Sequence, residues 1–326
     1  MKVLVTGATG FTGLNLSKAL AKAGHQVLAL ARDSSDCSAL EATGIECLRI
    51  DLFDTEGVRG AMEQVEVVYH LAAAYRTEHA DQSEFWRVNV EATQALLENA
   101  AAAGVRRFVH CSTVGVQGEI TEPPAAEDYR LKPGDHYQAS KLEGEQRALE
   151  FNGRDGLETT VIRPVGIYGP GDDRFLKLFK AIDRGLFLMI GSGQTLYHMT
   201  YIDDLVQGFQ LAGTHDAAPG EVFTICGPEV GTLNELAQVI ANALDKKLRQ
   251  FRVPLWPVLA AAHVSDWLFK RFGAQSPLYP RRVEFFRFSR AFTSEKAQRM
   301  LGYEPEVSLN EGVRRTIAAY RQEGLL

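Results

Sequence analysis

Only four cysteines occur in the 326 residues, Cys37, Cys47, Cys111 and Cys226, and no two of them form a C-x-x-C pair. A disulfide framework is therefore not what organises the chain, and none of the eight histidines belongs to an H-E-x-x-H pattern, so neither disulfides nor bound metal are expected. Excess basic charge is missing too. Lys and Arg number 35 against 41 Asp and Glu, a formal charge of −6, which points away from nucleic acid and from an anionic membrane as partners. No basic, then apolar, then small-residue leader opens the chain, so a cytoplasmic location is the default expectation. The longest apolar stretch, Val253 to Phe272, carries Pro254, Pro257, His263, Ser265, Asp266, Lys270 and Arg271. That is too polar for the roughly twenty lipid-facing residues of a transmembrane segment, and an amphipathic helix is expected instead.

What is present is an ordinary globular composition, 45% hydrophobic and 23% charged, enough to bury a large core. In the first half, short apolar runs alternate with helical patterns, the order of an α/β chain with a parallel sheet covered on both faces. Strands are expected near Lys2–Thr6, Gln26–Ala31, Glu46–Ile50, Val67–Leu71, Arg107–Cys111 and Thr159–Arg163. Helices are expected over Phe11–Ala23, Thr55–Glu63, Ser83–Ala103 and His136–Asn152. Beyond Pro170 the spacing becomes irregular, with helical patterns near Phe175–Arg184, Asp203–Ala212, Leu233–Leu244, Leu255–Phe272, Ser294–Leu301 and Leu309–Arg321. The expected division is residues 1–170 as a nucleotide-binding domain and 171–326 as a smaller mixed α/β lobe, with elements free to interleave. A ligand cleft belongs between the two.

Gly7-Ala8-Thr9-Gly10-Phe11-Thr12-Gly13 follows the first strand and opens the first helix. The first glycine permits the tight turn, the second lets backbone approach a pyrophosphate, and the third lets helix and strand pack closely. The helix N-terminus offers free N–H groups and partial positive charge to phosphate. The turn reads T-G-A-T-G-F-T-G and resembles that of the extended short-chain dehydrogenase/reductases, which include the nucleotide-sugar epimerases and dehydratases. Further matches run in order: Asp51-Leu52, His70-Leu71-Ala72-Ala73, Asn89 in Val88-Asn89-Val90-Glu91, and Arg163-Pro164 through Ile167 to Tyr168-Gly169-Pro170. The resemblance implies a Rossmann-type doubly wound parallel sheet. It also implies Gly7, Thr9, Gly10, Phe11, Gly13, Asp51, Leu52, Leu71, Ala72, Ala73, Pro164 and Ile167 as cofactor-binding positions. Asp51 could alternatively be a helix N-cap, and Ala72 mere packing.

Tyr137-Gln138-Ala139-Ser140-Lys141 matches the family's Y-x-x-x-K. Spacing of four brings both side chains to one helix face, where an ammonium lowers a phenol's pKa from about 10 toward working pH. Tyr137 then exchanges a proton with a substrate oxygen while hydride moves to or from the adjoining carbon. Lys141, by resemblance, also holds the nicotinamide ribose. Cys111-Ser112-Thr113-Val114-Gly115 resembles the family's hydroxyl-bearing turn; Thr113 takes the catalytic position and Ser112 is a helper facing substrate, unless either only caps the loop.

After the second strand, Ala31 stands at the position where a carboxylate would mark NAD, and Arg32 follows it. NADP is therefore favoured over NAD, with Asp33 moving into the carboxylate role as the alternative. Many nucleotide-sugar enzymes have an asparagine where this chain has Gly166, and an arginine and an aspartate where it has Tyr197 and His198. Leaving a diphosphate unpaired would be costly. Trp256, Trp267, Leu268, Phe269, Phe272, Phe285, Phe286 and Phe288 fill the C-terminal third, which resembles the 3β-hydroxysteroid and sterol dehydrogenase branch. The expected reaction interconverts a secondary alcohol and a ketone on an apolar small molecule, with Tyr75 and His198 facing it. The runner-up is a nucleotide-sugar epimerase or dehydratase, and a non-catalytic cofactor-binding protein is the third reading. By resemblance a homodimer is expected, paired through Ser83–Ala103 and His136–Asn152.

Overall fold

In the computed structural model, which describes residues 1–75, 82–272, 276, 278, 283 and 285–326, strand β1 (Lys2–Thr6) sends Val3 and Val5 into one core cluster and Leu4 into another. The same split recurs in β2 (Gln26–Ala31), where Val27 and Ala29 oppose Leu28 and Leu30. Both faces are apolar, so both must be covered, the condition under which parallel sheets are found.

The cover comes from the intervening helices. Helix α1 (Phe11–Lys22) joins β1 to β2; α2 (Ser38–Glu41), β3 (Glu46–Arg49), α3 (Thr55–Ala61) and β4 (Val67–His70) follow. Then come α4 (Gln82–Trp86), a π-helical turn (Arg87–Glu91), α5 (Ala92–Ala102), β5 (Arg107–Cys111), a 3-10 turn (Val114–Gln117), α6 (His136–Glu150), β6 (Glu158–Pro164) and β7 (Gly166–Tyr168). The remainder comprises α7 (Leu176–Asp183), β8 (Phe187–Ile190), β9 (Leu196–Tyr201), α8 (Ile202–Thr214), β10 (Val222–Ile225), β11 (Val230–Thr232), α9 (Leu233–Ala243), β12 (Gln250–Val253), α10 (Leu255–Arg271), α11 (Glu295–Leu301) and α12 (Leu309–Gln322).

Seven parallel strands form the main sheet in the order β3-β2-β1-β4-β5-β6-β10. The direction of winding reverses between β1 and β4, and the crevice beyond the carboxyl ends of those strands is where a doubly wound sheet takes its ligand. Strand β10 and helix α8 come from the second half of the chain yet join this sheet, so the lobes interleave. The smaller lobe holds a mixed sheet, β11-β9-β7, antiparallel on one side of β9 and parallel on the other. A parallel ribbon of β8 and β12 sits beside it. Tyr201, Leu233, Ile317 and Tyr320 belong to the same buried cluster as Val3 and Val5, so one core runs through both lobes.

Three expectations are modified. The helix over Ser83–Ala103 is divided by the π turn, whose extra residue re-aims Asn89. Helix α10 turns apolar side chains to solvent rather than a polar face. Cys37 and Cys47, distant in sequence terms, converge with Glu41 so that their ligand atoms lie within 4.8 Å of one another. Burial, then the neighbouring Cys37 thiol, pushes Cys47 up to about 12, which keeps it a thiol.

Candidate active site

At the end of β1, Gly7 has φ +69°, a left-handed conformation, and a Cβ there would lie 2.6 Å from the Ala72 nitrogen. A Cβ on Gly13 would lie 2.2 Å from the Gly7 carbonyl oxygen. The turn is closed too tightly for any side chain, and α1 begins with no side-chain cap on Gly10 and no acidic residue in its first turn. Its first N–H groups are left for an external acceptor. Arg174 adds a cation that the sequence reading missed: its guanidinium lies 5.3 Å from the Phe11 ring centroid, while Nε donates to buried Asp172 (2.5 Å) and Nη2 to the Ile167 carbonyl (2.9 Å). The signal was an Asp-x-Arg pair just after the Tyr168-Gly169-Pro170 stretch, ordinary by itself.

The other end of the crevice is equally built. Arg32 is exposed where β2 ends, and Arg49 braces that turn by donating to the carbonyls of Asp33 (2.8 Å) and Ser35 (3.1 Å). Asp51 is exposed and its Oδ1 accepts from the Phe53 N–H (2.9 Å); the helix N-cap nearby is Asp54 instead, accepting from Gly57. Ala72 and Ala73 continue β4, and the Ala72 N–H donates to Thr6 Oγ1 (3.2 Å). Pro164 ends β6 and Ile167 lies in β7. A glycine cradle, small residues behind it and a carboxylate and an arginine at its far end fit a dinucleotide.

Helix α6 starts at Asp135, whose side chain accepts from the Gln138 N–H (2.8 Å). Tyr137, Lys141 and Glu145 then recur at intervals of four on its inner face. Tyr137 is half-buried with the rings of Tyr75 and Phe85 edge-on at 5.1 and 6.2 Å. Lys141 is buried, and its Nζ lies 3.5 Å from His110 Nε2. Burial lowers the Lys141 pKa, against the opposing pull of Cys111 and Glu145, and burial also holds His110 well below its ordinary value. His110 is thus a neutral acceptor for the ammonium.

Glu145 is a residue the sequence reading passed over. It is buried in an ion pair with Arg163 of β6 (2.5 Å) and accepts from Ser112 Oγ (2.6 Å), while Arg163 also donates to the Glu127 carbonyl (3.0 Å). The i+4 continuation of Tyr137 and Lys141 was the available clue. Asn89, on the π turn, accepts from the Ala74 N–H (2.8 Å) and donates to Ser140 Oγ (2.9 Å), tying the end of β4 to α6. The helices approach so closely there that a Cβ on Gly144 would lie 2.3 Å from the Asn89 carbonyl oxygen.

The remaining expected positions divide. Thr113 caps the 3-10 turn, its Oγ1 accepting from the Gly115 N–H (3.1 Å), which leaves its own proton for an outside acceptor. Ser112 is buried and donates its hydroxyl to Glu145. His198 is likewise buried: Nε2 lies 2.9 Å from the Gly227 carbonyl and Nδ1 3.0 Å from that of Phe292. Burial lowers its pKa, and both ring nitrogens face the backbone of Gly227 and Phe292. Tyr75 is exposed beside Tyr137. Tyr197 takes up the space over Gly166, where an added Cβ would meet its Oη at 2.9 Å; Phe285 and Phe175 lie 5.0 and 6.3 Å from its ring. Phe285 and Phe286 thus belong to this wall, whereas Trp256, Trp267, Phe269 and Phe272 are exposed on or just past α10.

Residues 3–226 match the model of the NAD dependent epimerase/dehydratase family. The chain is 32% identical to the 3-beta-hydroxysteroid dehydrogenase of Mycolicibacterium neoaurum, over 98% of this chain and 91% of that protein. It is 31% identical to the 3beta-hydroxysteroid-dehydrogenase/decarboxylase isoform 2 of Arabidopsis thaliana over 86% of this chain, but spans only 53% of that longer protein. Among solved structures, the UDP-glucuronic acid 4-epimerase from Bacillus cereus, in complex with UDP-glucuronic acid and NAD, superposes with a TM-score of 0.79 at 25% identity, covering 99% of this chain and 100% of the other. With the glycine cradle and the α6 pair in the family's order, this chain belongs to the NAD dependent epimerase/dehydratase family and is an NAD-dependent enzyme of the extended short-chain dehydrogenase/reductase type.

Proposed function

We propose that the protein interconverts a secondary alcohol and a ketone on an apolar small molecule, with Tyr137 as acid/base, Lys141 beside it and Thr113 as the second hydroxyl. The cofactor, when bound in the glycine cradle, supplies or accepts the hydride. In the reductive direction Tyr137 gives its phenolic proton to the substrate oxygen as negative charge develops there, and in the oxidative direction it takes that proton back. Thr113 donates to the same oxygen. Lys141, with His110 as acceptor behind it, holds positive charge next to the phenol.

The observation that carries the substrate class is the joint change at positions 166 and 197. The phenol of Tyr197 takes up the volume over Gly166 and is walled by Phe175 and Phe285, an aromatic surface where a diphosphate would need cations and amides. The test is net oxidation of NADH or NADPH by the purified protein against a panel of hydrophobic ketones. Turnover that disappears in Tyr137→Phe is the expected result. Tightly held NAD, conversion of a UDP-sugar and no net consumption of nicotinamide would instead make it an epimerase. Arg32 at the end of β2 supports a preference for NADP, and Arg32→Ala is expected to weaken NADP binding about tenfold more than NAD binding; equal losses refute phosphate recognition. A homodimer paired through α5 and α6 belongs to the same reading, with sedimentation velocity as its check.

A further inference from the structure

The overall charge of −6 conceals a segregated distribution. Between residues 246 and 292 stand ten lysines and arginines against two acidic residues, whereas the rest of the chain carries 25 against 39. Within this basic stretch lies α10, and its orientation is inverted relative to an ordinary surface helix. Ala262 is buried, while Trp256, Ala260, Val264 and Trp267 follow one another at intervals of four, four and three along the exposed side. Trp256 is 75% exposed and Trp267 64%; Phe272, just past the helix, is 80% exposed. The strand leading into the helix adds Phe251, 59% exposed and paired in register with exposed Leu188. Exposed Arg271, four residues after Trp267, closes the same helix face.

Single exposed apolar residues are normal, but a contiguous apolar face with two tryptophans marks a contact surface. Its chemistry selects among partners. Tryptophan prefers the boundary between hydrocarbon and water, and a helix lying in that boundary presents tryptophan, phenylalanine and leucine to the acyl chains with Lys and Arg at the headgroups. Cationic side chains close to an anionic leaflet add attraction that decays within a Debye length. Among the described residues no helix is long and apolar enough to cross a membrane, so the geometry is that of a helix seated on one leaflet.

We infer that α10, with Phe251 and Phe272 at its ends and Arg271 on its exposed side, docks the protein onto an anionic phospholipid surface. The inference stands apart from the substrate assigned to the Tyr137 site.

The experiment is sedimentation of the full chain with phosphatidylcholine vesicles and with vesicles containing phosphatidylglycerol, at low and high salt. Binding to the anionic vesicles, weakened by salt and accompanied by a blue shift of tryptophan emission, is expected. The Trp256→Ser/Trp267→Ser variant is expected to keep its melting temperature and NAD affinity while losing about tenfold or more of its vesicle affinity. Absence of binding to either vesicle overturns the inference, as does equal binding to both. A dimer in the parent chain that becomes monomeric in the double variant also overturns it, because the face then belongs to a second copy.

Discussion

Gly144 separates two requirements of the site that are otherwise hard to distinguish, the chemistry of Tyr137 and Lys141 and the position of the helix that carries them. A Cβ at this position would lie 2.3 Å from the Asn89 carbonyl oxygen, whereas carbon and oxygen settle at about 3.3 Å. Gly144→Ala therefore forces α6 and the π turn apart by about 1 Å. Overpacking of this kind costs about 1–3 kcal/mol, or a fall in melting temperature of roughly 1.5–4 °C for a chain of this size. Asn89 also holds Ala74 and Ser140, so the displacement reaches the end of β4 and the catalytic face of α6 together. Misplacement by about 1 Å is worth roughly a hundredfold in turnover. The assay combines differential scanning calorimetry with steady-state kinetics and NAD titration; kcat is expected to fall far more than NAD affinity, since the glycine cradle lies on β1 and α1. A variant with parental melting temperature and parental kcat would refute the claim that the close approach positions the pair.

Tyr137→Phe is expected to lower kcat by about 10²–10⁴ with little change in NAD affinity, measured by stopped-flow turnover and fluorescence titration. Thr113→Val removes both the cap on the 3-10 turn and the donor to substrate oxygen; a loss of about 1 kcal/mol in urea unfolding and of about a hundredfold in kcat is expected, with Thr113→Ser restoring most of each. His70 is buried between Thr6 Oγ1 (2.8 Å) and Thr93 Oγ1 (2.9 Å), and burial, then the Lys141 charge, pulls it down to about 3. The unfolded chain binds this proton below about 6.5 and the folded chain does not, so stability from His70 is present above pH 6.5 and is lost as pH falls toward 3. Urea unfolding is expected to show on the order of 2 kcal/mol less stability at pH 5 than at pH 7 from this group, a slope that His70→Gln should flatten.

The Rossmann-type sheet was legible because its cause is local. Alternation within β1 and β2 comes from the period of a strand, and the glycine spacing of residues 7–13 comes from the tightness of one turn. Tyr137 and Lys141 share a helix face by spacing alone. The boundaries missed by a residue or two, as at Ile50 and Leu71, lie where strands fray into the crevice. The surroundings of His198 and Ser112 were not legible because they depend on what packs against each strand: Gly227 and Phe292 in one case, Glu145 in the other. Pairings of this kind are long-range, and periodicity carries no record of them.

Sequence by itself therefore determined the class of sheet, the tight glycine turn and the shared helix face of Tyr137 and Lys141, since each rests on residues within about one turn of helix or strand. Tertiary structure alone decided that Glu145 and Arg163 back the pair, that Arg174 stacks on Phe11, that Tyr197 fills the space over Gly166, and that α10 shows its tryptophans to solvent. Those outcomes depend on which surfaces the fold buries against each other, and burial is a property of the whole packed chain.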